Sequence, residues 1–477
     1  MGQDKQETTE LKRELGLLDA TLLVAGGMIG SGIFIVSADV TRHIGSAGWL
    51  IVVWLIGGFM TLTAALSYGE LSGMYPKAGG QYVYLREAYN PLVAFLYGWS
   101  LFAVIQTGTI AAVCVSFFKF LAYFVPAVSE DLIVFSVGFW QVSRAQLLSI
   151  VLIFILTFIN TRGLRYGKII QSTFTGTKLL SLFGLIIFGF IFLKPDVWQA
   201  NWAEAFELMQ LHSDGTFEAY SNVPAWWGAI AAAMVGTVIS YDAWNNVTFV
   251  AGEINNPKRN IGLSLLLGTF LVTAIYVLTN LMFTAVLPIT AIATPEKDRV
   301  GVVAAQAIFG DSGSAVISIL IMIATFGCAN GMILSGARVY YSMAKDGLFF
   351  KQTARLNKNA VPAYALWIQF GAASLLSLSG KYGNLLDMIS FVVVIYYVLT
   401  IAGIFILRVK QPNVERSYKA FGYPFLPLLY IILGIAFCGL LIVYKPLYTW
   451  PGLIIALLGI PIYYWTRSSH QNDQEHA

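Results

Sequence analysis

Charge is scarce in this chain. Only 11% of its residues are Asp, Glu, Lys or Arg, against roughly 25% in soluble domains, which excludes an ordinary water-soluble fold. Cysteine is scarcer still: Cys114, Cys328 and Cys438 all lie inside apolar runs, so no disulfide framework is implied and each reads as a small buried hydrophobe. The four histidines, His43, His212, His470 and His476, fall in loops or tails. They assemble no metal site and no nucleophile and base pair, so neither an enzyme of the membrane interior nor a cofactor is expected. Nothing like a cleavage site follows the first apolar segment, which is therefore expected to stay in the chain rather than leave as a signal peptide.

Apolar length fills the chain instead. Hydrophobic residues make up 57% of it and the mean hydropathy is +0.71. Twelve apolar runs stand at about 17–38, 47–73, 91–124, 146–161, 169–193, 224–252, 261–288, 313–342, 362–380, 385–407, 424–443 and 447–466, many reaching the roughly 20 residues that cross a bilayer. An all-α polytopic membrane protein of twelve transmembrane helices is expected, multi-pass in the cell (inner) membrane. Basic residues sort its loops: Lys12, Arg13, Arg162, Arg165, Lys168, Arg408, Lys410, Arg416 and Lys419 fall on one side with the N-terminus, whereas the other side has few, among them Arg42, Lys194 and Lys381. Lys and Arg mark the cytoplasmic side, so both polar tails, 1–16 and 467–477, are expected there. The net charge of +4 is dispersed over these loops, which argues against a nucleic-acid partner.

The first run is more than an anchor. It carries Gly26, Gly27, Gly30 and Gly32 within seven positions, and each glycine costs a helix roughly 1 kcal/mol relative to Ala, so the helix is expected to open there. Freed backbone is tolerated at membrane depth only where protein buries it or it lines a cavity, which makes the opening a candidate ligand site. The sixth run has a matching interruption, the polar island Ser240-Tyr241-Asp242-Ala243-Trp244-Asn245-Asn246-Val247-Thr248. Short helical patterns also follow the second and seventh runs, from Gln81 to about Asn90 and around Val302–Phe309, and each is expected to lie along a membrane face. Features paired five spans apart on opposite sides fit an inverted five-plus-five repeat, with 17–193 as the first half, 224–407 as the second and 424–466 as two added helices. An opened helix offers the amides of a half-helix N-terminus to a carboxylate, while carbonyls of the other break can accept from an ammonium. A ligand with both groups is an α-amino acid.

Three elements, Gly30-Ser31-Gly32-Ile33-Phe34, Tyr241-Asp242-Ala243-Trp244-Asn245 and Ala251-Gly252-Glu253-Ile254-Asn255-Asn256-Pro257-Lys258-Arg259-Asn260, resemble the amino acid–polyamine–organocation superfamily. Bacterial members of its L-amino acid transporter branch look closest. The resemblance covers the first ten spans well and the last two by count. It implies the LeuT-type fold with helices 1 and 6 broken, amino acid transport, and a substrate site at Met28, Ile29, Gly30, Ser31, Gly32, Tyr241, Asp242, Trp244 and Asn245. Thr173-Phe174-Thr175-Gly176-Thr177-Lys178-Leu179-Leu180 is similar to the branch's fifth-span pattern, whose lysine implies sodium-independent transport. Where family members often place a serine before the Asn330-Gly331 pair, this chain has Cys328 and Ala329. Animal members join a glycoprotein through a cysteine after the third span; residues 124–146 hold none, so no disulfide-linked heavy subunit is expected.

Lys178 also stands out by position. It lies about nine residues into the fifth run, ~14 Å along a helix, too deep for easy escape to water. Its ammonium is expected to neutralise carbonyls of the opened first helix, in place of a sodium ion, with snorkelling as the alternative. Asp242 leaves three readings open: pairing with a cation, accepting from backbone amides, or taking up a proton during transport. Trp244 is the candidate lid over the substrate side chain, and Glu70 and Glu253 read as inner-side contacts with basic loops. The expected function is sodium-independent, alternating-access transport of L-amino acids, most concretely exchange of neutral ones. Proton-coupled symport and a membrane amino acid sensor are the alternatives.

Overall fold

The computed structural model describes residues 11–137, 140–379 and 382–475. Most of the tail 1–16, including Lys5, and the side chains of the tail 467–477 lie outside the described residues. The first apolar run is two helices, α1 (Leu17–Met28) and α2 (Gly32–Ile44), bent by 41° where they meet. Then come α3 (Ala47–Met74), α4 (Gln81–Ala88), α5 (Pro91–Leu121), α6 (Arg144–Thr161) and α7 (Leu164–Ile191). The sixth run supplies α8 (Val223–Ser240), and the chain continues through α9 (Pro257–Val286), α10 (Val300–Phe309), α11 (Asp311–Lys345) and α12 (Ala363–Ser377). The last three helices are α13 (Tyr382–Lys410), α14 (Phe425–Tyr444) and α15 (Pro446–Glu475). Among the described residues nine helices are long and apolar enough to cross a membrane, or ten with α1 and α2 counted as one bent span.

Several helices start where side chains satisfy their orphan amides. Asn90 accepts from the Val93 amide at 3.0 Å just ahead of Pro91, and Asn222 accepts from the Ala225 amide at 2.9 Å. Ser143 and Gln146 exchange bonds as a capping box at the head of α6. These are the residue types that favour helix starts. Small residues then set how closely the helices pack. Gly262 of α9 faces Gly69 of α3, and Gly268 of α9 faces Val24 of α1.

The fold is helical as expected, with strands confined to two connections. Two small antiparallel hairpins, β1 (Ile133–Val137) with β2 (Trp140–Ser143) and β3 (Met209–Leu211) with β4 (Phe217–Ala219), stand in the connections between spans. α4 is the short helix expected after the second run, and Gln81, Tyr82, Val83, Tyr84, Leu85 and Ala88 of it are all buried. Its buried face meets α5, α13 and, through Tyr84 against Tyr68, α3. Beyond α8 the chain does not resume as a long half-helix. It makes one α-turn, Asn246–Phe249, and one 3-10 turn, Ala251–Glu253, before Asn256 at φ +45° leads into Pro257.

That last segment is fastened to the N-terminal end of the bundle. Leu15 bridges to Ile254 in parallel register, and the Gly79 amide reaches the Phe249 carbonyl at 3.0 Å. Two buried carboxylates sit at the same end. Glu70 accepts from Arg408 at 2.7 Å, from Arg416 at 3.2 Å and from the Ala420 amide at 2.7 Å. Glu253 accepts from Arg338 at 3.0 Å, with both side chains almost fully buried. At the opposite end Arg42 pairs with Asp298 and donates to the Ala293 carbonyl at 2.9 Å.

Candidate substrate site at the two breaks

The end of α1 shows where its backbone goes. Ala25 still accepts the Ile29 amide at 3.0 Å, but the next four carbonyls have no helical amide to meet them. Each finds its donor on another helix. Lys178 of α7 donates to Gly26 at 2.5 Å and to Ile29 at 2.6 Å, Cys328 of α11 donates to Gly27 at 3.0 Å, and Tyr276 of α9 donates to Met28 at 2.9 Å. Lys178 is 1% exposed, so its charge faces this helix end and not water. A helix C-terminus carries roughly half a negative charge, which an ammonium offsets.

The glycines act differently from the expectation that their freedom opens the helix. None of Gly26, Gly27, Gly30 and Gly32 adopts a left-handed φ, and the opening falls on Ile29, at φ −77° and ψ 96°. Their missing side chains allow close approach instead. A Cβ on Gly26 would lie 2.1 Å from Gln171 Nε2, and one on Gly32 would lie 2.6 Å from Ser240 Oγ. On Gly27 it would be 3.2 Å from the Ala243 carbonyl, and on Gly30 3.2 Å from Cys328 Sγ. The first break is therefore pressed against α7, α11 and the sixth-span break at once. Ser31 occupies the N-cap position of α2 in an αR conformation and is 1% exposed.

The sixth-span break runs from Tyr241 to Asn245. Ala243 holds φ +65° there, a left-handed conformation uncommon for a residue with a Cβ. Asp242 Oδ1 accepts from the Tyr397 hydroxyl at 2.6 Å, and among the described residues no cationic side chain pairs with it. The Asn245 amide donates to Gln81 at 2.8 Å, and Gln81 donates onward to Thr400 at 3.0 Å. Trp244 packs edge-on against Tyr68 at 4.7 Å and beside Tyr397 at 5.3 Å. Tyr241 turns toward α3, donating to the Trp54 carbonyl at 3.0 Å.

A hollow of about 10 Å³, enough for about one water, lies beside this break. Asp242, Asn245 and Asn246 line it together with Tyr97 and Leu101 of α5 and Tyr396 and Tyr397 of α13. α5 widens to a π-helix over Leu101–Ile105 at this wall, a distortion often found at functional sites. Gly27 and Gly32 of the first break thus lie directly against Ala243 and Ser240 of the second, and the carbonyls at the end of α1 are held by protein donors.

The amino acid permease family matches residues 15–463. The chain belongs to that family. The permease is 29% identical to the serine/threonine exchanger SteT of Bacillus subtilis over 96% of this chain and 98% of the relative. It is 28% identical to the b(0,+)-type amino acid transporter 1 of Mus musculus, over 96% of this chain and 88% of the relative. The Asc-type amino acid transporter 1 of Mus musculus is 29% identical, with 96% and 82% covered. These are transporters and not enzymes, and the permease is a multi-pass membrane protein of the same superfamily.

Of the residues singled out from sequence, the permease brings Met28, Ile29, Gly30, Gly32 and Lys178 together at one helix end. Asp242, Trp244 and Asn245 face α3, α4, α5 and α13 instead, and Tyr241 faces α3. Tyr276 and Tyr397 escaped the sequence reading. Tyr276 sits inside a 30-residue helix, ten residues before its last, away from the interfaces where membrane tyrosines concentrate, and that depth was the available signal.

Proposed function

We propose that the permease is a sodium-independent, alternating-access exchanger of neutral L-amino acids in the cell membrane. In this reading it has twelve transmembrane helices in a LeuT-type inverted five-plus-five repeat, with α1/α2 and the sixth span as the broken helices and both termini cytoplasmic. The halves are 17–193 and 224–407, followed by helices over 424–466. When the breaks part, the first amides of α2 around Gly30, Ser31 and Gly32 receive the substrate carboxylate. Carbonyls of Met28 and of the sixth-span break receive its ammonium, with Tyr241, Asp242, Trp244 and Asn245 around it.

One observation carries the reading: Lys178 donates to two carbonyls at the α1 end. A positive charge built into the chain at that point does the neutralising that sodium does in other members of the fold. The relatives' names, a serine/threonine exchanger and an Asc-type amino acid transporter, support exchange and amino acid substrates. The cysteine-free stretch 124–146 supports function without a disulfide-linked heavy subunit.

The test is a counterflow panel. Proteoliposomes preloaded with labelled L-serine are diluted into single unlabelled amino acids, and release is expected with neutral amino acids outside and not into plain buffer. Uptake into vesicles without internal substrate, driven by a pH gradient, would make the permease a proton-coupled symporter instead. Binding without any exchange would make it a sensor.

A further inference from the structure

At the end of the bundle where Arg42 pairs with Asp298, the connection from α9 to α10 meets the connection from α5 to α6. Together they form an open hollow of about 380 Å³, within the range of roughly 300–1,000 Å³ for ligand pockets. The first connection supplies Glu296, Lys297 and Arg299, and the second supplies Tyr123, Asp131 and Leu132. None of these residues lines the hollow beside the sixth-span break.

The charges around the hollow are unequally matched. Lys297 pairs with Asp131 at 2.9 Å and Ser129 donates to the same carboxylate at 3.0 Å; these two bonds hold the Asp131 carboxyl below its usual range. Arg299 is served less well. Only 8% of its side chain is exposed, yet among the described residues that side chain makes two long hydrogen bonds, 3.3 Å to the Glu296 carboxylate and 3.5 Å to the Glu296 carbonyl. Charge-assisted pairs ordinarily close to about 2.7–2.9 Å, a guanidinium has more donors than these two bonds use, and a buried charge is costly unless it is fully paired. The Tyr123 ring lies 5.8 Å from the guanidinium and offers it an aromatic face. Glu296 is 79% exposed, so it is free to turn to another partner.

The backbone of this wall is also strained. Lys297 and Asp298 hold left-handed φ values of +53° and +59°, uncommon in residues with a Cβ and concentrated at functional sites. Asp298, between the two basic residues of the hollow, is the one that pairs with Arg42 of α2. The wall is thereby tied to the half-helix beyond the first break.

The geometry points to a second amino acid site in this hollow, in which Arg299 takes the carboxylate of an α-amino acid and Glu296, released from the guanidinium, takes its ammonium. A carboxylate gives the buried guanidinium the close bidentate partner that Glu296 does not. Tyr123 and Leu132 then face the ligand's side chain. Asp131 and Glu296 balance Lys297 and Arg299 around the hollow, so a zwitterion keeps that balance and a plain anion upsets it. The choice of ligand rests on the reading of the permease as an amino acid transporter.

The test is saturable binding of labelled L-serine to the purified permease, measured by equilibrium dialysis in detergent. Two equivalents per chain are expected, one at the breaks and one in the hollow. Arg299→Gln is expected to weaken the second at least about tenfold, the scale of lost hydrogen bonds to a charged group. Leu132→Trp keeps every charge, fills the hollow from an exposed position, and should remove the same equivalent. That equivalent is expected to be displaced by L-alanine and not by L-lactate, which has no amine. A single equivalent in the wild-type permease that neither variant changes would overturn the inference. Disagreement between the two variants would overturn it as well, since loss in Arg299→Gln alone marks a merely structural arginine. Displacement by L-lactate as strong as by L-alanine would make the hollow a carboxylate site and overturn the amino acid assignment. Exchange in proteoliposomes is scored separately: its absence in the wild-type permease defeats the transport reading, and its presence beside a single equivalent defeats only the second site.

Discussion

The ammonium of Lys178 lies 2.6 Å from the carbonyl oxygen of Ile29, the residue at which the first span opens. The same ammonium reaches Gly26 one turn earlier, so a single side chain of α7 closes the frayed end of α1. An opened helix at membrane depth needs such partners, because no water replaces them.

Replacing Lys178 with Met keeps most of the volume and removes all three donors. Hydrogen bonds to charged groups contribute about 1.5–3 kcal/mol each, so loss of the pair predicts a fall in exchange of at least about tenfold. Lys178→Arg is also expected to be poor, since a planar guanidinium does not fit a site shaped for a compact ammonium. Initial rates of counterflow in proteoliposomes check both; wild-type rates in Lys178→Met would remove the lysine from the mechanism.

Gly32 and Ser240 offer a compensating pair. A Cβ at position 32 would lie 2.6 Å from Ser240 Oγ and 3.2 Å from Ser240 Cβ, so Gly32→Ala should push the two breaks apart and lower exchange. Adding Ser240→Gly removes the two nearest atoms and leaves the Ser240 Cα at 3.3 Å, so it should recover part of the loss, despite the roughly 1 kcal/mol that a new glycine costs a helix. An effect of Gly32→Ala that Ser240→Gly leaves untouched would show that the contact is not the reason for the glycine.

Arg338 and Glu253 form an ion pair with 1% and 2% of their side chains exposed. Arg338→Met leaves a buried carboxylate without its partner, and broken pairs of this kind cost about 3–5 kcal/mol. A large drop in melting temperature in detergent is expected, with the double change Arg338→Met and Glu253→Gln milder than the single one. A single change as mild as the double would mean that the pair is not desolvated as its burial implies.

Much of this was legible because a membrane interior tolerates few exceptions. Apolar length located the nine helices among the described residues that are long and apolar enough to cross a membrane, and Lys178 was conspicuous as a charge in the middle of one. The break in the first span could be read from Gly26, Gly27, Gly30 and Gly32, yet their physical role could not, since a glycine that permits contact and one that permits bending look the same in sequence. The buried face of α4 was hidden for a related reason: Gln81 gains its partners, Asn245 and Thr400, from residues more than 160 positions away. Cys328, which reads from sequence as a small buried hydrophobe, is also a donor to the Gly27 carbonyl. Tyr276 was one aromatic among many apolar residues of the seventh run, and only helical phase, which a single sequence does not fix, decides that its hydroxyl meets the carbonyls of Met28 and Ser240.

The most direct test of the central claim measures L-serine exchange in proteoliposomes with sodium, potassium or choline as the cation on both sides. If Lys178 does the work of a bound cation at the end of α1, wild-type exchange is the same in all three salts and remains high at trace sodium. A rate that rises from near zero and saturates with sodium would contradict the account.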